Sequence, residues 1–311
     1  MEKNKPLVSI ALCTYNGETF LHEQLDTLVN QTYPNLEIIA LDDKSTDGTL
    51  KILKAYQQKY PNIKVLENEK NLGYTKNFEK AIALCNGDFI ALCDQDDVWA
   101  LNKIALMVDK IDDHVLIYHD SQFTDSSGNV INKKLSDVTN FYAGDQPEAF
   151  IFFNCISSHA MLFHKSLIKE ILPIKTEQHH DAWIAYIACN LGKIKAHKEC
   201  LVNYRQHQSS TTDILKRKNS VKKISKNKKF YQRLRLIKCY QEFSKNKNPL
   251  EMATLHKVYA SRQNKGFSFG TFFFFIKHFD AIFKIYKRGF WNKLNFMYKE
   301  SRGIKSEHFN V

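Results

Sequence analysis

From Leu7 to Cys93 the chain alternates uninterrupted apolar runs with amphipathic stretches in a regular order. Leu7 to Tyr15 (LVSIALCTY) carries no charge, the pattern of a strand buried on both faces of a largely parallel sheet. Beyond Gly17, the residues Phe20, Leu21, Leu25, Leu28 and Val29 recur at helical spacing, and Pro34 follows the expected end. Leu36 to Leu41 predicts a second strand that stops at Asp42-Asp43, and Ser45-Thr46-Asp47-Gly48 starts a helix striped by Ile52, Leu53 and Tyr56. A third strand follows over Ile63 to Leu66, a third helix over Phe78 to Leu84 and a fourth strand over Phe89 to Cys93. Such alternation implies right-handed βαβ units in a doubly wound α/β sheet, whose ligands sit outside the carboxyl ends of the strands. Thr14-Tyr15-Asn16, Asp42-Asp43 and Asp94 to Asp97 all fall at that edge.

Past Leu101 the order loosens. Val115 to His119 and Ala160 to Phe163 read as strands around a polar, turn-rich interval from Asp125 to Gln146. Asp181 to Asn190 predicts a helix closed by Gly192, and Cys200 to Tyr204 a last strand. From about Ile214 onward Lys, Arg and Asn alternate with Leu, Ile, Phe and Tyr, which predicts helices with basic faces.

Charge divides the chain at the same place. Residues 214–311 hold 24 Lys/Arg against 5 Asp/Glu, which leaves 21 against 28 in residues 1–213 from totals of 45 and 33. Two parts are therefore expected: an acidic one carrying the motifs, and a basic helical extension suited to attachment. The seven cysteines are odd in number and form no CxxC pair, as expected of buried thiols in a reducing compartment. Met-Glu-Lys-Asn-Lys-Pro leads straight into a strand without a signal-peptide core, so a cytoplasmic location is expected.

The sharpest chemical signal is Asp94-Gln95-Asp96-Asp97, three carboxylates in four residues directly behind an apolar strand. Uncompensated negative charge there fits a hard divalent cation, Mg²⁺ or Mn²⁺, completed by substrate phosphates. It fits equally an acidic turn in which Asp96 or Asp97 caps the next helix.

Its surroundings add a resemblance. Val8-Ser9-Ile10 to Cys13-Thr14-Tyr15-Asn16-Gly17, Asn30-Gln31-Thr32-Tyr33-Pro34, Asp42-Asp43-Lys44-Ser45-Thr46-Asp47-Gly48-Thr49, Asn71-Leu72-Gly73 and Cys93-Asp94-Gln95-Asp96-Asp97-Val98-Trp99 together resemble family 2 inverting glycosyltransferases of the GT-A fold, over roughly residues 6 to 210. Asp94 to Trp99, His180-Asp181-Ala182-Trp183 and Tyr204-Arg205-Gln206-His207 are similar to the bacterial rhamnosyltransferase-like branch. The resemblance implies that Thr14, Tyr15 and Asn16 line the nucleoside pocket and that Asp43 accepts a hydrogen bond from the base. Asn71, Gly73 and Asn77 would approach the nucleotide, Asp94 the ribose, Gln95 the nucleotide sugar, and Asp96 with His207 the metal. Asp97 would ligate through water or cap a helix; Trp99 would wall the sugar pocket or simply pack; Arg205 would pair with the diphosphate or with a surface acid. Asp181 matches the catalytic base that takes the acceptor hydroxyl's proton, beside His179 and His180, although a helix cap suits the same position.

What the family implies is transfer from a nucleotide sugar, dTDP-L-rhamnose first or a UDP-hexose, to a polyprenyl-diphosphate-linked saccharide at the inner membrane face. A nucleotidyltransferase is a rival, but no Gly-rich, Lys/Arg-bearing phosphate loop stands near the N-terminus. A non-catalytic polyanion- or membrane-binding protein is another. In the tail, acid-free Lys216 to Lys238 and the aromatic stretch Phe267 to Phe296 fit either an interfacial helix on an anionic membrane or a small helical unit with its own core. No nucleic-acid module accompanies the charge, so no nucleic-acid partner is expected.

Overall fold

The computed structural model describes residues 5–175, 180–207, 225–263 and 265–304. They form two compact units, Met1–Asp145 with Cys155–Thr211, and Gln146–Asn154 with Thr212–Val311. In the first unit β1 (Val8–Thr14), α1 (Glu18–Val29), β2 (Leu36–Asp42), α2 (Thr49–Lys59), β3 (Ile63–Glu67), α3 (Tyr74–Ala83) and β4 (Phe89–Cys93) repeat the strand–helix alternation. There follow β5 (Val98–Trp99), α4 (Lys103–Lys110), β6 (Leu116–Thr124), β7 (Val130–Lys134), α5 (Leu135–Val138), β8 (Met161–His164), α6 (Ile168–Ile171), α7 (His180–Leu191) and β9 (Ile194–Arg205). Nine strands among the described residues make one sheet in the order β3-β2-β1-β4-β8-β6-β9-β5, with β7 paired to β6.

Every residue of β1 is buried, because parallel neighbours β2 and β4 flank it and helices cover both faces. On α1, Leu21, Leu25 and Leu28 recur at one-turn spacing and are wholly buried, so truncating any one to Ala costs about 2–5 kcal/mol. The expectation of a mostly parallel sheet holds for its first half. In the second half β8 runs antiparallel to both β4 and β6, which makes the sheet mixed. Parallel β1, β2 and β4 end together and bring Thr14, Asp42 and Cys93 to one edge, where the predicted polar residues begin.

The second unit contains α8 (Lys226–Gln241), α9 (Pro249–Ala260), α10 (Phe269–Lys277), α11 (Phe279–Ile282) and α12 (Phe290–Ser301). Residues 146–154 group with it instead of with the sequence around them, because Phe152 and Phe153 pack on Tyr259, Phe275, Phe283, Tyr286 and Phe296. Five of these seven rings lie far along the chain from the interval 146–154 that joins them. Part of the basic run, residues 208–224, lies outside the described residues. Among the described residues no helix is long and apolar enough to cross a membrane.

Candidate active site

Asp43 anchors the loop of Asn71 to Gly73 at this edge. It is 2% exposed, and its carboxylate accepts from Asn68 Nδ2 and Leu72 N through Oδ1 and from Gly73 N through Oδ2, each at 2.8 Å. Gly73 takes φ +82°, a left-handed conformation that glycine adopts without strain, and Asn71 Oδ1 also accepts from its N–H. The predicted residues Asn71 and Gly73 are thus brought to Asp43 on one exposed loop. Asn77 is not on that surface: it is buried, and its amide joins Asn68 to the carbonyl of Leu41.

Thr14 is also buried, with Oγ1 donating to Asp42 Oδ1 at 2.9 Å, while Tyr15 stands 47% exposed at the strand end. Gln95 fixes the Tyr15 backbone from the acidic turn, accepting from its N–H at 2.8 Å and donating to its carbonyl at 3.0 Å. A Cβ at Gly17 would lie 2.3 Å from the Gln95 amide group, so this clamp requires glycine there. Asn16, at φ +48°, donates its N–H to Ser45 Oγ and accepts from Thr46 N, which ties the first loop to the second.

The acidic turn converges with elements that the sequence did not join to it. Asp94 Oδ2 accepts from Ser158 Oγ at 2.8 Å, and His159 Nδ1 lies 3.4 Å from Asp97 Oδ2 and 3.9 Å from Asp94 Oδ2. His159 Nε2 pairs with Ser121 Oγ at 2.9 Å, and the His159 carbonyl accepts from Lys103 Nζ at 2.5 Å. Neither His159 nor Lys103 was a candidate from sequence. His159 comes from a single turn before β8, and a lone His in an apolar stretch carries no local sign of such a role. Lys103 is wholly buried, with its ammonium 3.0 Å from the Trp99 ring centroid. Trp99 itself is 2% exposed and belongs to the core under the turn.

Electrostatics in this pit favour added positive charge. Withdrawal from water, then the Asp96 charge, pushes the Asp94 carboxyl up to about 7. The same causes in the same order, with Asp94 added, raise Asp97. Burial, followed by repulsion from Lys103, holds the His159 imidazole down to about 3, so it stays neutral and able to donate a lone pair. Asp97 Oδ1 accepts from Arg205 N at 3.1 Å, but buried Oδ2 has no hydrogen-bond partner. Atoms of Asp94, Asp97 and His159 lie within 4.8 Å of one another. Two carboxylates, one of them with an orphaned buried oxygen, and one imidazole fit a divalent cation. The pair expected from sequence stands beside this group: His207 Nε2 is 2.8 Å from Asp96 Oδ2, with the His207 ring against Phe20.

Arg205 is 3% exposed and committed within the protein. Its guanidinium donates to the carboxylate of Glu23, to the Asp96 carbonyl at 2.9 Å and to the Ser126 carbonyl at 3.3 Å, and lies over the Phe20 ring. It therefore braces the acidic turn from behind. Asp181 lies in the first turn of α7, where Oδ1 accepts from Ala182 N at 2.7 Å, and its charge is near enough to contribute to the rise at Asp94. His180 is buried and stacks on Phe78 at 4.5 Å; His179 lies outside the described residues.

Comparison with known proteins places this architecture. The family model described as Glycosyl transferase family 2 matches residues 9–172. An uncharacterized glycosyltransferase of Methanocaldococcus jannaschii is 31% identical over 213 residues, 66% of this chain and 72% of that protein. One from Haemophilus influenzae is 29% identical over 225 residues, 68% of this chain and 69% of that protein. Among solved structures, S. aureus TarS 1-349 in complex with UDP-GlcNAc is similar with a TM-score of 0.61 at 18% identity, covering 81% of this chain and 72% of that one. The likeness is one of fold: the α/β unit has the GT-A architecture, followed here by a helical C-terminal region.

Proposed function

We propose a reaction for this chain, which belongs to glycosyl transferase family 2: metal-dependent transfer of a sugar, with inversion, from a nucleoside diphosphate to a saccharide acceptor. The observation that carries it is the convergence of Asp94, Asp97 and His159, with Asp96 and His207 alongside, at the same sheet edge as the Asp43 loop. These groups would hold a divalent cation, Mg²⁺ or Mn²⁺, which would supply positive charge to the departing diphosphate.

The protein's own groups do the rest. Asp43 keeps the loop of Leu72 and Gly73 in place, and that loop and the exposed ring of Tyr15 receive the nucleoside. Gln95 locks the first loop to the acidic turn, so the base side and the phosphate side keep a fixed spacing. Arg205 holds the turn from behind, and Lys103 holds the His159 backbone beside it. Asp181 accepts the proton of the acceptor hydroxyl as the oxygen attacks the anomeric carbon.

The donor put first is dTDP-L-rhamnose, on the resemblance of Asp94 to Trp99 and of His180 to Trp183 to the rhamnosyltransferase-like branch. A UDP-hexose is the second reading, favoured by the UDP-GlcNAc in the structure of TarS. The acceptor put forward is a polyprenyl-diphosphate-linked saccharide of a bacterial surface polysaccharide, with the reaction on the cytoplasmic side. The test is a panel of nucleotide sugars with lipid-linked glycan extract, run with Mg²⁺, Mn²⁺ or chelator. Metal-dependent release of the nucleoside diphosphate is expected from one donor class. Turnover of UDP-hexoses without dTDP-L-rhamnose would remove the first donor, and release of pyrophosphate from a nucleoside triphosphate would replace the reaction with nucleotidyl transfer.

A further inference from the structure

The C-terminal unit has enough aromatic residues to complete a core, and it leaves a second set outside. Along α10 helical geometry separates the two: Thr271, Phe274 and Phe275 are buried, whereas Phe269, Phe273 and Ile276 stand 68%, 62% and 51% exposed at spacings of four and three residues. α12 begins in the same way, with Phe290 58% and Trp291 79% exposed. The interior is already filled by Phe275, Ile282, Phe283, Ile285 and Met297, each at most 2% exposed. The two exposed sets are linked at the end of α10, where Phe279 packs against Phe290 with ring centroids 6.2 Å apart. Scattered apolar side chains on a surface need no explanation, but five large ones on two helices that pack together, Phe275 of α10 against Phe296 of α12, do.

Charge indicates what covers them. Residues 265–304 hold eight Lys/Arg against two Asp/Glu, and Lys265, Arg288 and Lys299 are exposed in the same segment as the rings. A second copy of the chain would bring the same excess of cations and be repelled. An anionic lipid surface matches both features, since apolar rings enter the boundary of headgroups and acyl chains while Lys and Arg meet the lipid phosphates. No described helix can span a bilayer, so the mode is attachment along the surface.

We propose that this face of the C-terminal unit seats the protein on an anionic membrane, with Phe269, Phe273, Ile276, Phe290 and Trp291 as the inserting side chains. The seating stands independently of the transfer reaction and of the donor it uses.

The chain carries its own reporter. Of its three tryptophans, Trp99 and Trp183 are 2% and 1% exposed, so a change in emission on lipid addition comes from Trp291. The full-length protein is titrated with vesicles of phosphatidylcholine alone and with added phosphatidylglycerol. Binding in sedimentation and a blue shift of emission are expected with the anionic vesicles, weakening several-fold as salt screens the cations. A Phe269→Ser, Phe273→Ser double variant, whose sites are exposed, should melt as the wild type does yet bind about tenfold or more weakly, given the apolar area removed. Trp291→Ser should abolish the blue shift. The proposal is overturned if anionic vesicles neither bind the protein nor shift its emission, or if the double variant binds as tightly as wild type. It is equally overturned if analytical ultracentrifugation shows a dimer that the double variant dissolves and vesicles do not displace.

Discussion

Replacing Asp43 by Asn separates the loop-holding role of this carboxylate from its shape, because the substitution keeps volume and removes one acceptor. The carboxamide oxygen can take the place of Oδ1 and keep the bonds from Asn68 and Leu72, but its NH₂ then faces the N–H of Gly73, a donor against a donor. The reverse orientation is worse, since two donors are then left opposed. The exposed Gly73 N–H keeps its bond to Asn71 Oδ1, so the cost is that of one hydrogen bond to an ionised acceptor, about 1.5–3 kcal/mol. The effect is local, so the suitable assay is amide hydrogen exchange followed by mass spectrometry on the peptide containing Leu72 and Gly73. Protection there should fall by about tenfold to a hundredfold, one factor of ten for each 1.4 kcal/mol. Affinity for the nucleoside diphosphate should fall with it, since the proposed reaction has the same loop receive the base. Protection within about threefold of wild type, on the same conversion, would refute the reasoning and return Asp43 to an ordinary turn acid.

Asp181→Asn should lower kcat by about 10²–10⁴, the usual share of a positioned base, and leave nucleotide affinity unchanged in calorimetry; equal loss of both would make Asp181 a structural cap. Arg205→Lys keeps the charge but loses the planar fork that reaches Glu23, the Asp96 carbonyl and the Ser126 carbonyl, so stability should drop by about 2–4 kcal/mol. An unchanged melting temperature with a raised KM for donor would instead assign the guanidinium to the diphosphate. Burial, then repulsion from Lys103, holds the His119 imidazole well below its usual range. The unfolded chain takes up a proton below about pH 6.5 that the folded chain refuses, so wild type should lose stability relative to His119→Gln as pH falls, by up to about 1.4 kcal/mol per unit. Parallel stability curves for the two proteins between neutral and mildly acidic pH would contradict this.

The parallel half of the sheet was legible because burial on both faces leaves a local mark: β1, β2 and β4 read as uninterrupted apolar runs and end at the polar residues that share the edge. β5 and β7 left no such mark. Two-residue β5 exists through its pairing with β9, and β7 is polar and largely exposed against β6. The acidic turn was legible as chemistry, but the group around it was not, since Ser121, Ser158 and His159 arrive through long-range pairing of β6 and β8. Trp99, Asn77 and Arg205 show the limit from the other side: their types fit a binding role, and burial with internal partners is visible only once the chain is folded. In the tail, helical spacing marked apolar positions without saying which faced in. In that unit Phe275 and Phe283 build a core, while Phe273 and Trp291 remain outside it.

Calorimetric titration of UDP and dTDP into the full-length protein, with Mn²⁺ or Mg²⁺ and again with chelator, bears most directly on the acidic pit. Tight binding that requires the cation and disappears in Asp96→Asn and in Asp97→Asn is the predicted result. Equal affinity with and without the cation, or full metal-dependent affinity in both variants, would contradict it.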